Sequence, residues 1–413
     1  MGLAPGEYLN ALHFFHSTAF SVTTLCETWF TIVVQNTKPI SMNGTPLYLV
    51  DGIKVGKAGR KMPGVKLLHQ ESDNNTKPEY IMGHYWGAVS KVVTGGMHAY
   101  ALPLRFQIQD GLKRSPSEAA TLIDKMGTLV IQTLGSAGIV VGDAYFTTKN
   151  FITTLRDSGH HYIGRAKSST VGYELPPPRA KGQRGRPRKY GKKIKLKTLF
   201  DNPALFTNVS FAIYGKTECI RYHSVDLLWQ GVHVRFILTI MKDKTRSILL
   251  ATDQDLHPED IIYAYSLRQK IEVSFQSLVH TLCGFGYHFW MKAMPKLKSR
   301  AGNQFLHRAD EKYRSQVYRK IEAYERFVNI AAIALGTLQL LAIQYPSQIW
   351  NRFPLWLRTL PKHGYPSENV VRLTLQHELH ESFLNNNDST LLQRILDQKE
   401  TRAEEAHPMQ IAV

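Results

Sequence analysis

Cysteine is nearly absent from this chain: its 413 residues hold three, Cys26, Cys219 and Cys283, far apart in sequence. No CxxC pair and no Cys/His finger spacing occurs. That excludes a disulfide framework and a structural zinc module, and fits a reducing cytoplasm. Acidic residues are also scarce: Asp and Glu total 33 against 51 Lys and Arg, a formal net charge of +18. Such an excess predicts a polyanionic partner, nucleic acid before anionic membrane. A long unbroken apolar run is missing too. The longest, Phe327 to Tyr345, is interrupted by Asn329, Gly336, Thr337, Gln339 and Gln344, so a buried core helix is expected there and no membrane span. No Lys or Arg precedes an apolar core near Met1, so a secretory signal is not expected. Gly6 stands where a myristoylation pattern needs Ser or Thr. His69, His84, His98, His160 and His161 show no metal-ligand spacing.

What is present reads as alternating strands and helices. Residues 8–35 read as helix, with no helix-turn-helix module ahead of it. PLYLVDGIKV at 46–55 reads as a buried strand closed by the AspGly. Residues 81–109 alternate around a GlyGly turn, a hairpin signal. A helix is expected at 116–135, an apolar strand ending on an acid at 138–146, a helix at 147–158 and a strand after it. Residues 165–197 hold twelve Lys and Arg against one acid, Glu174, and form a solvated basic loop. A strand-rich stretch follows at 205–253, then one amphipathic helix over about 259–282, a basic helical stretch at 290–325 and the core helix at 327–344. The order predicts an α/β fold, a mixed sheet flanked by helices. Five parts are expected: an N-terminal helical segment (1–45), the first part of the core (46–164), a basic loop and β-rich insertion (165–255), the final core helices (256–345) and a C-terminal region (346–413).

Two acids end apolar β runs, Asp51 in LYLVD and Asp143 in IVVGD. Each alone reads as readily as a turn residue or a helix N-cap. Glu272 adds a different signal. Tyr265, Arg268 and Glu272 are spaced three and four apart, so they share one face of a helix. Arg268 and Glu272 could be an ordinary exposed pair, but a Glu that holds metal, an Arg that pairs with phosphate and a Tyr that donates to it are also what a phosphodiester site needs.

LVDG, VVGDAYF and YxxRxxxIExxF together resemble the three acid-bearing motifs of DDE transposases from bacterial insertion sequences. More narrowly, they are similar to the branch with a Tyr-Arg-Glu-Lys signature and a β-rich insertion between the second and third acids. HFFHSTAFS at 13–21, KPEYIMGHYWGA at 77–88, GRPRKYG at 185–191 and SILLATD at 247–253 match in style. The resemblance covers roughly residues 8–345. Val279 stands where the signature carries Lys, and the N-terminal DNA-binding region usual in the family is short here. The resemblance implies an RNase H-like core, with Asp51, Asp143 and Glu272 as catalytic residues and ligands of two Mg2+ ions, Mn2+ being the alternative. Asp51 is expected to bridge the ions, with Asp143 and Glu272 on one each. It implies cut-and-paste transposition: hydrolysis at an element end, then strand transfer. Double-stranded DNA, as element ends and target, would be the partner of a homodimer in a paired-end complex at the nucleoid. Two alternatives stand beside it: an inactive, truncated copy acting as a DNA-binding inhibitor, and a metal-dependent nuclease of the same fold with a host role.

Further DNA contacts are expected in three places. Arg184, Arg186, Arg188 and Lys189 match an AT-hook core, with Lys192 and Lys193 just beyond; nonspecific backbone contact is the favoured reading, minor-groove insertion the other. Trp229, before GlnGly, is either a base-stacking aromatic or an ordinary core or turn residue. Lys292, Lys296, Lys298 and Arg300 begin a basic run suited to DNA ends.

Overall fold

The run LYLV is buried on both sides. In the computed structural model, which describes residues 5–70, 78–96, 98–178, 185–213, 216–354 and 364–385, it lies in strand β1 (Thr45–Gly56). Leu47 and Leu49 pack into one apolar layer, Tyr48 and Val50 into another, as a strand covered on both faces requires. β1 pairs antiparallel with β2 (Tyr80–Gly95), and β2 antiparallel with β3 (His98–Ile108). On its other edge β1 pairs parallel with β4 (Ile139–Gly142), and β4 parallel with β5 (His161–Ala166). The spatial order β3-β2-β1-β4-β5, antiparallel on one side of β1 and parallel on the other, is the RNase H-like arrangement expected from the sequence.

Helices cover both faces. Two N-terminal helices, α1 (Pro5–His16) and α2 (Val22–Asn36), precede the sheet. α3 (Leu122–Thr133) and α4 (Lys149–Asp157) cover the layer of Tyr48 and Val50 with Met126, Leu129, Phe151 and Leu155. α5 (Pro258–Ser266), α6 (Gln269–Leu282) and α7 (Glu311–Gln344) cover the other with Ile261, Ile271, Phe275 and Val317.

The β-rich stretch continues the same sheet. β6 (Val171–Tyr173), β7 (Lys193–Lys195), β8 (Thr207–Ile213), β9 (Lys216–Trp229), β10 (Val232–Ile240) and β11 (Arg246–Ala251) belong to it. β11 pairs antiparallel with β5, β10 with β11 and β9 with β10. Gln230 and Gly231, both at positive φ (50° and 86°), make the tight β9–β10 turn, as a two-residue hairpin requires.

Four expectations need correction. The AspGly does not close β1, which runs on to Gly56. The single helix at 8–35 is two, because the Ser21 hydroxyl accepts the Thr24 N–H at 3.0 Å and starts α2 afresh. The single helix at 259–282 is also two: tight three-residue hydrogen bonds at Arg268→Tyr265 and Ile271→Arg268 interrupt it. Residues 290–303 are not helical. They are irregular chain tied by backbone hydrogen bonds to residues 60–67; after one 3-10 turn at Leu306–Arg308, α-helix resumes only at Glu311.

α7 is the one helix among the described residues long and apolar enough to cross a membrane by length and composition. It is built into the core as expected. Val328, Ala332 and Leu335 are buried, Asn329 exchanges hydrogen bonds with the Phe106 backbone at 2.8 and 2.9 Å, and Gly336 lets the Trp29 ring approach so closely that a Cβ would lie 2.3 Å from it. Beyond it, α8 (Pro346–Arg352) and α9 (Glu368–Asn385) share a third apolar cluster with the end of α7. Residues 386–413 lie outside the described residues.

Candidate catalytic site and nucleic-acid surfaces

Strand alternation decides where the acids point. Leu47 and Leu49 face α6, so Asp51 does too; Ile139 and Val141 face the same way, and so does Asp143 just past the end of β4. Leu49 is in register with Val141 on adjacent parallel strands, which carries Asp51 and Asp143 to neighbouring positions, about 4.8 Å apart at the usual strand spacing. From above, the first turn of α6 contributes Glu272.

Arg268 ties the group together. Its guanidinium lies 2.7 Å from Glu272 Oε1 and 3.3 Å from Asp51 Oδ2. Asp51 Oδ1 accepts the Gly52 N–H at 2.8 Å, and Asp143 Oδ1 accepts the Tyr145 N–H at 2.9 Å. Burial pushes the Asp51 carboxyl up to about 6; the Asp143 and Glu272 charges push the same way, against Arg268 and the Gly52 N–H. Asp51 therefore feels the charges of both other acids. Burial also raises the Tyr265 phenol, which keeps it protonated and able to donate. As the side chains stand, no three His, Cys, Asp or Glu residues among those described close into a metal cage; Arg268 pairs with Asp51 and Glu272 instead. Arg268 Nε is buried with no hydrogen-bond partner.

Two openings adjoin this unit. One cavity of about 360 Å3 lies between the β9–β11 sheet and the α5–α6 junction, with Ile220, Leu249 and Ile262 in its wall and Arg268 and Glu272 at its edge. A groove of about 1090 Å3 runs from Asp143 past Lys149 and Lys167 to Tyr173, Tyr190 and Trp229. The Tyr173 and Tyr190 rings pack at 4.7 Å.

The expected DNA contacts divide. Trp229 is 7% exposed and belongs to the apolar layer with Val232 and Val234; it is a core residue at a hairpin end, and only its edge reaches the groove. Arg186, Arg188, Lys189, Lys192 and Lys193 are exposed; Arg184 lies outside the described residues. Lys292, Lys296, Lys298 and Arg300 are exposed together on the irregular segment after α6. Val279 is 38% exposed on α6, so no cation stands at that place.

Three aromatic features escape a reading of the sequence. Tyr85 covers Gly52: a Cβ there would lie 2.0 Å from the Tyr85 hydroxyl, so any side chain beside Asp51 would have to displace that ring. Tyr173 and Tyr190 meet because Glu174 bonds to Gly191 and Lys192 across the basic loop; the hint was one tyrosine at each end of that loop. The third, Trp290, is 67% exposed.

The family described as DDE superfamily endonuclease matches residues 107–226, a segment that includes Asp143 and stops before Glu272. No curated protein matches. Among solved structures, the chain is similar to a cryo-EM structure of a piggyBac transposase synaptic complex with hairpin DNA, at 12% identity and a TM-score of 0.39, over 93% of this chain and 61% of that one. It thus spans about three fifths of that transposase's length. It is also similar to the crystal structure of the NurA nuclease from Sulfolobus solfataricus, at 11% identity and a TM-score of 0.23, over 70% of this chain and 100% of that one.

Proposed function

We propose that this chain is a DDE-type transposase, which cuts DNA at the ends of a mobile element and joins the released ends to a target. The observation that carries this reading is the meeting of Asp51, Asp143 and Glu272 on one face of an RNase H-like sheet, with Arg268 reaching two of them. The match of residues 107–226 to DDE endonucleases supports it.

Three carboxylates suit hard divalent cations, Mg2+ or Mn2+. Asp51 fits that role: its carboxyl is buried, and one shared guanidinium is its only cationic partner among the described residues. Two such ions, when bound, would neutralise charge on the attacking and leaving oxygens and lower the pKa of the attacking water. Asp51, Asp143 and Glu272 would hold them. Beside them the Arg268 guanidinium would pair with a phosphate oxygen near the Tyr265 hydroxyl. The exposed cations of the 185–193 loop and of the 292–300 segment would hold the duplex backbone. We place the chain in the Tyr-Arg-Glu-Lys branch, acting as a homodimer on paired ends at the nucleoid.

The test is nicking of duplex DNA that carries the flanking element ends, with Mg2+ and with chelator. Metal-dependent cleavage and end joining are expected. Binding without cleavage at any divalent ion concentration would instead identify a DNA-binding inhibitor. Cleavage with no joining would point to a host nuclease.

A further inference from the structure

Trp290 has no part in the site described above, yet it is the most exposed large apolar side chain among the described residues, at 67%. It is not on a loose tip. Its neighbours Phe289 and Met291 are buried. The Phe289 carbonyl accepts the Tyr324 hydroxyl at 2.5 Å, and the Met291 N–H donates to the Lys61 carbonyl at 3.0 Å. Further along, the Leu297 N–H donates to the Arg60 carbonyl at 2.8 Å. Behind this segment the buried Lys57 ammonium donates to the Phe285 and Tyr287 carbonyls at 2.5 and 3.0 Å and lies 3.6 Å from the Tyr287 ring centre. The backbone is fixed on both sides of Trp290, and the indole is held out into solvent.

Its surroundings are cationic. Lys292, Lys296, Lys298 and Arg300 follow it, all exposed, and the Lys61 ammonium sits on the Lys292 carbonyl. A rigid flat apolar surface followed along the chain by exposed cations suits a partner that is itself flat, aromatic and polyanionic, which describes a nucleobase in its phosphate backbone. Position agrees. The indole lies against Gly59, where a Cβ would come 3.4 Å from its Nε1, and residues 57–66 continue directly from β1. Gly59 stands three residues past the end of the strand that carries Asp51.

We propose that Trp290 stacks on an unpaired base of DNA lying beyond the end of the strand that carries Asp51, with Lys292, Lys296 and Lys298 on the flanking phosphates. The inference rests on the reading of the chain as a DNA-processing enzyme and adds the substrate feature it selects: locally unpaired DNA beside the bound duplex.

The test compares binding of a fully paired duplex and the same duplex with a short central bubble, using the full chain, Trp290→Ala and Trp290→Phe. The wild type should prefer the bubble about tenfold, the size of one base–aromatic stack. Trp290→Ala should lose that preference and keep its affinity for paired DNA; Trp290→Phe should keep part of it. A 2-aminopurine in the bubble should be quenched by the wild type and not by Trp290→Ala. Equal bubble preference in wild type and Trp290→Ala overturns the inference while the catalytic reading stands. So does a change of oligomeric state in Trp290→Ala with the preference intact, which would make the indole a contact between copies. Absence of any DNA binding by the wild type overturns both readings.

Discussion

Replacing Asp51 with Asn should stabilise the metal-free protein at pH 8 and leave its stability unchanged below about pH 4. The Asp51 carboxyl ionises at about 6 in the folded chain against an ordinary value of 3.8, chiefly because it is buried. The folded-state value lies above the unfolded one, so this group's contribution is most favourable below pH 3.8 and is lost as pH rises through about 6. A shift of this size corresponds to up to about 3 kcal/mol. The side chain is 15% exposed, so solvent screening removes little of it. Asn keeps the shape and drops the charge. Arg268 retains Glu272 at 2.7 Å and is not left unpaired. The assay is urea unfolding in EDTA at several pH values, reading the difference in midpoint at constant m. The gain should grow between pH 4 and 7 and then level off. Added Mg2+ should reverse the order, because the wild type alone gains stability from binding it. No gain at pH 8, or a gain that persists at pH 4, would refute the account of Asp51 as a buried carboxylate awaiting a cation.

Removing Arg268 should act in the opposite sense on catalysis. The guanidinium lowers the Asp51 pKa, so Arg268→Gln should move the acid limb of the cleavage rate to higher pH and lower its plateau. Trp229→Ala should cost about 3–5 kcal/mol of stability, because it removes a large core side chain; a loss of DNA affinity with unchanged melting would contradict its placement. Gly336→Ala should destabilise by about 1–3 kcal/mol through overpacking against Trp29, read in the same unfolding assay. Changing Arg186, Arg188 and Lys189 together to Gln should flatten the dependence of log affinity on log salt by up to about 3 units if all three meet phosphates, and an unchanged slope would remove that loop from the interface.

Much of the core was legible because its signals are local. Both faces of β1 and β4 are buried along LYLV and IVVG, so these are short continuous apolar runs, and an acid follows each; only Asp143 stands past its strand's end, since β1 runs on to Gly56. The β2–β3 hairpin is also short-range; the helix expected from 116 begins only at Leu122, where the Thr121–Asp124 capping box starts it. The face shared by Arg268 and Glu272 survives the interruption of the helix, because both residues keep near-helical backbone. What sequence does not carry is long-range pairing. That β11 joins β5, so that the inserted strands widen the core sheet, depends on contacts across some eighty residues. The 290–303 segment has helix-like composition, yet its backbone donors find partners in residues 60 and 61, and that competition decides its shape. Trp229 and Trp290 are equally plausible as surface aromatics by sequence; only burial separates them, at 7% and 67% exposure.

The most direct measurement is Mg2+-dependent cleavage of element-end DNA by the wild type beside Asp51→Asn, Asp143→Asn and Glu272→Gln, with DNA binding recorded for all four. The account predicts that each single change abolishes cleavage and that none lowers affinity for DNA by more than a few fold. Retained cleavage in any one variant, above all Asp143→Asn, would contradict a site in which the three acids act as one.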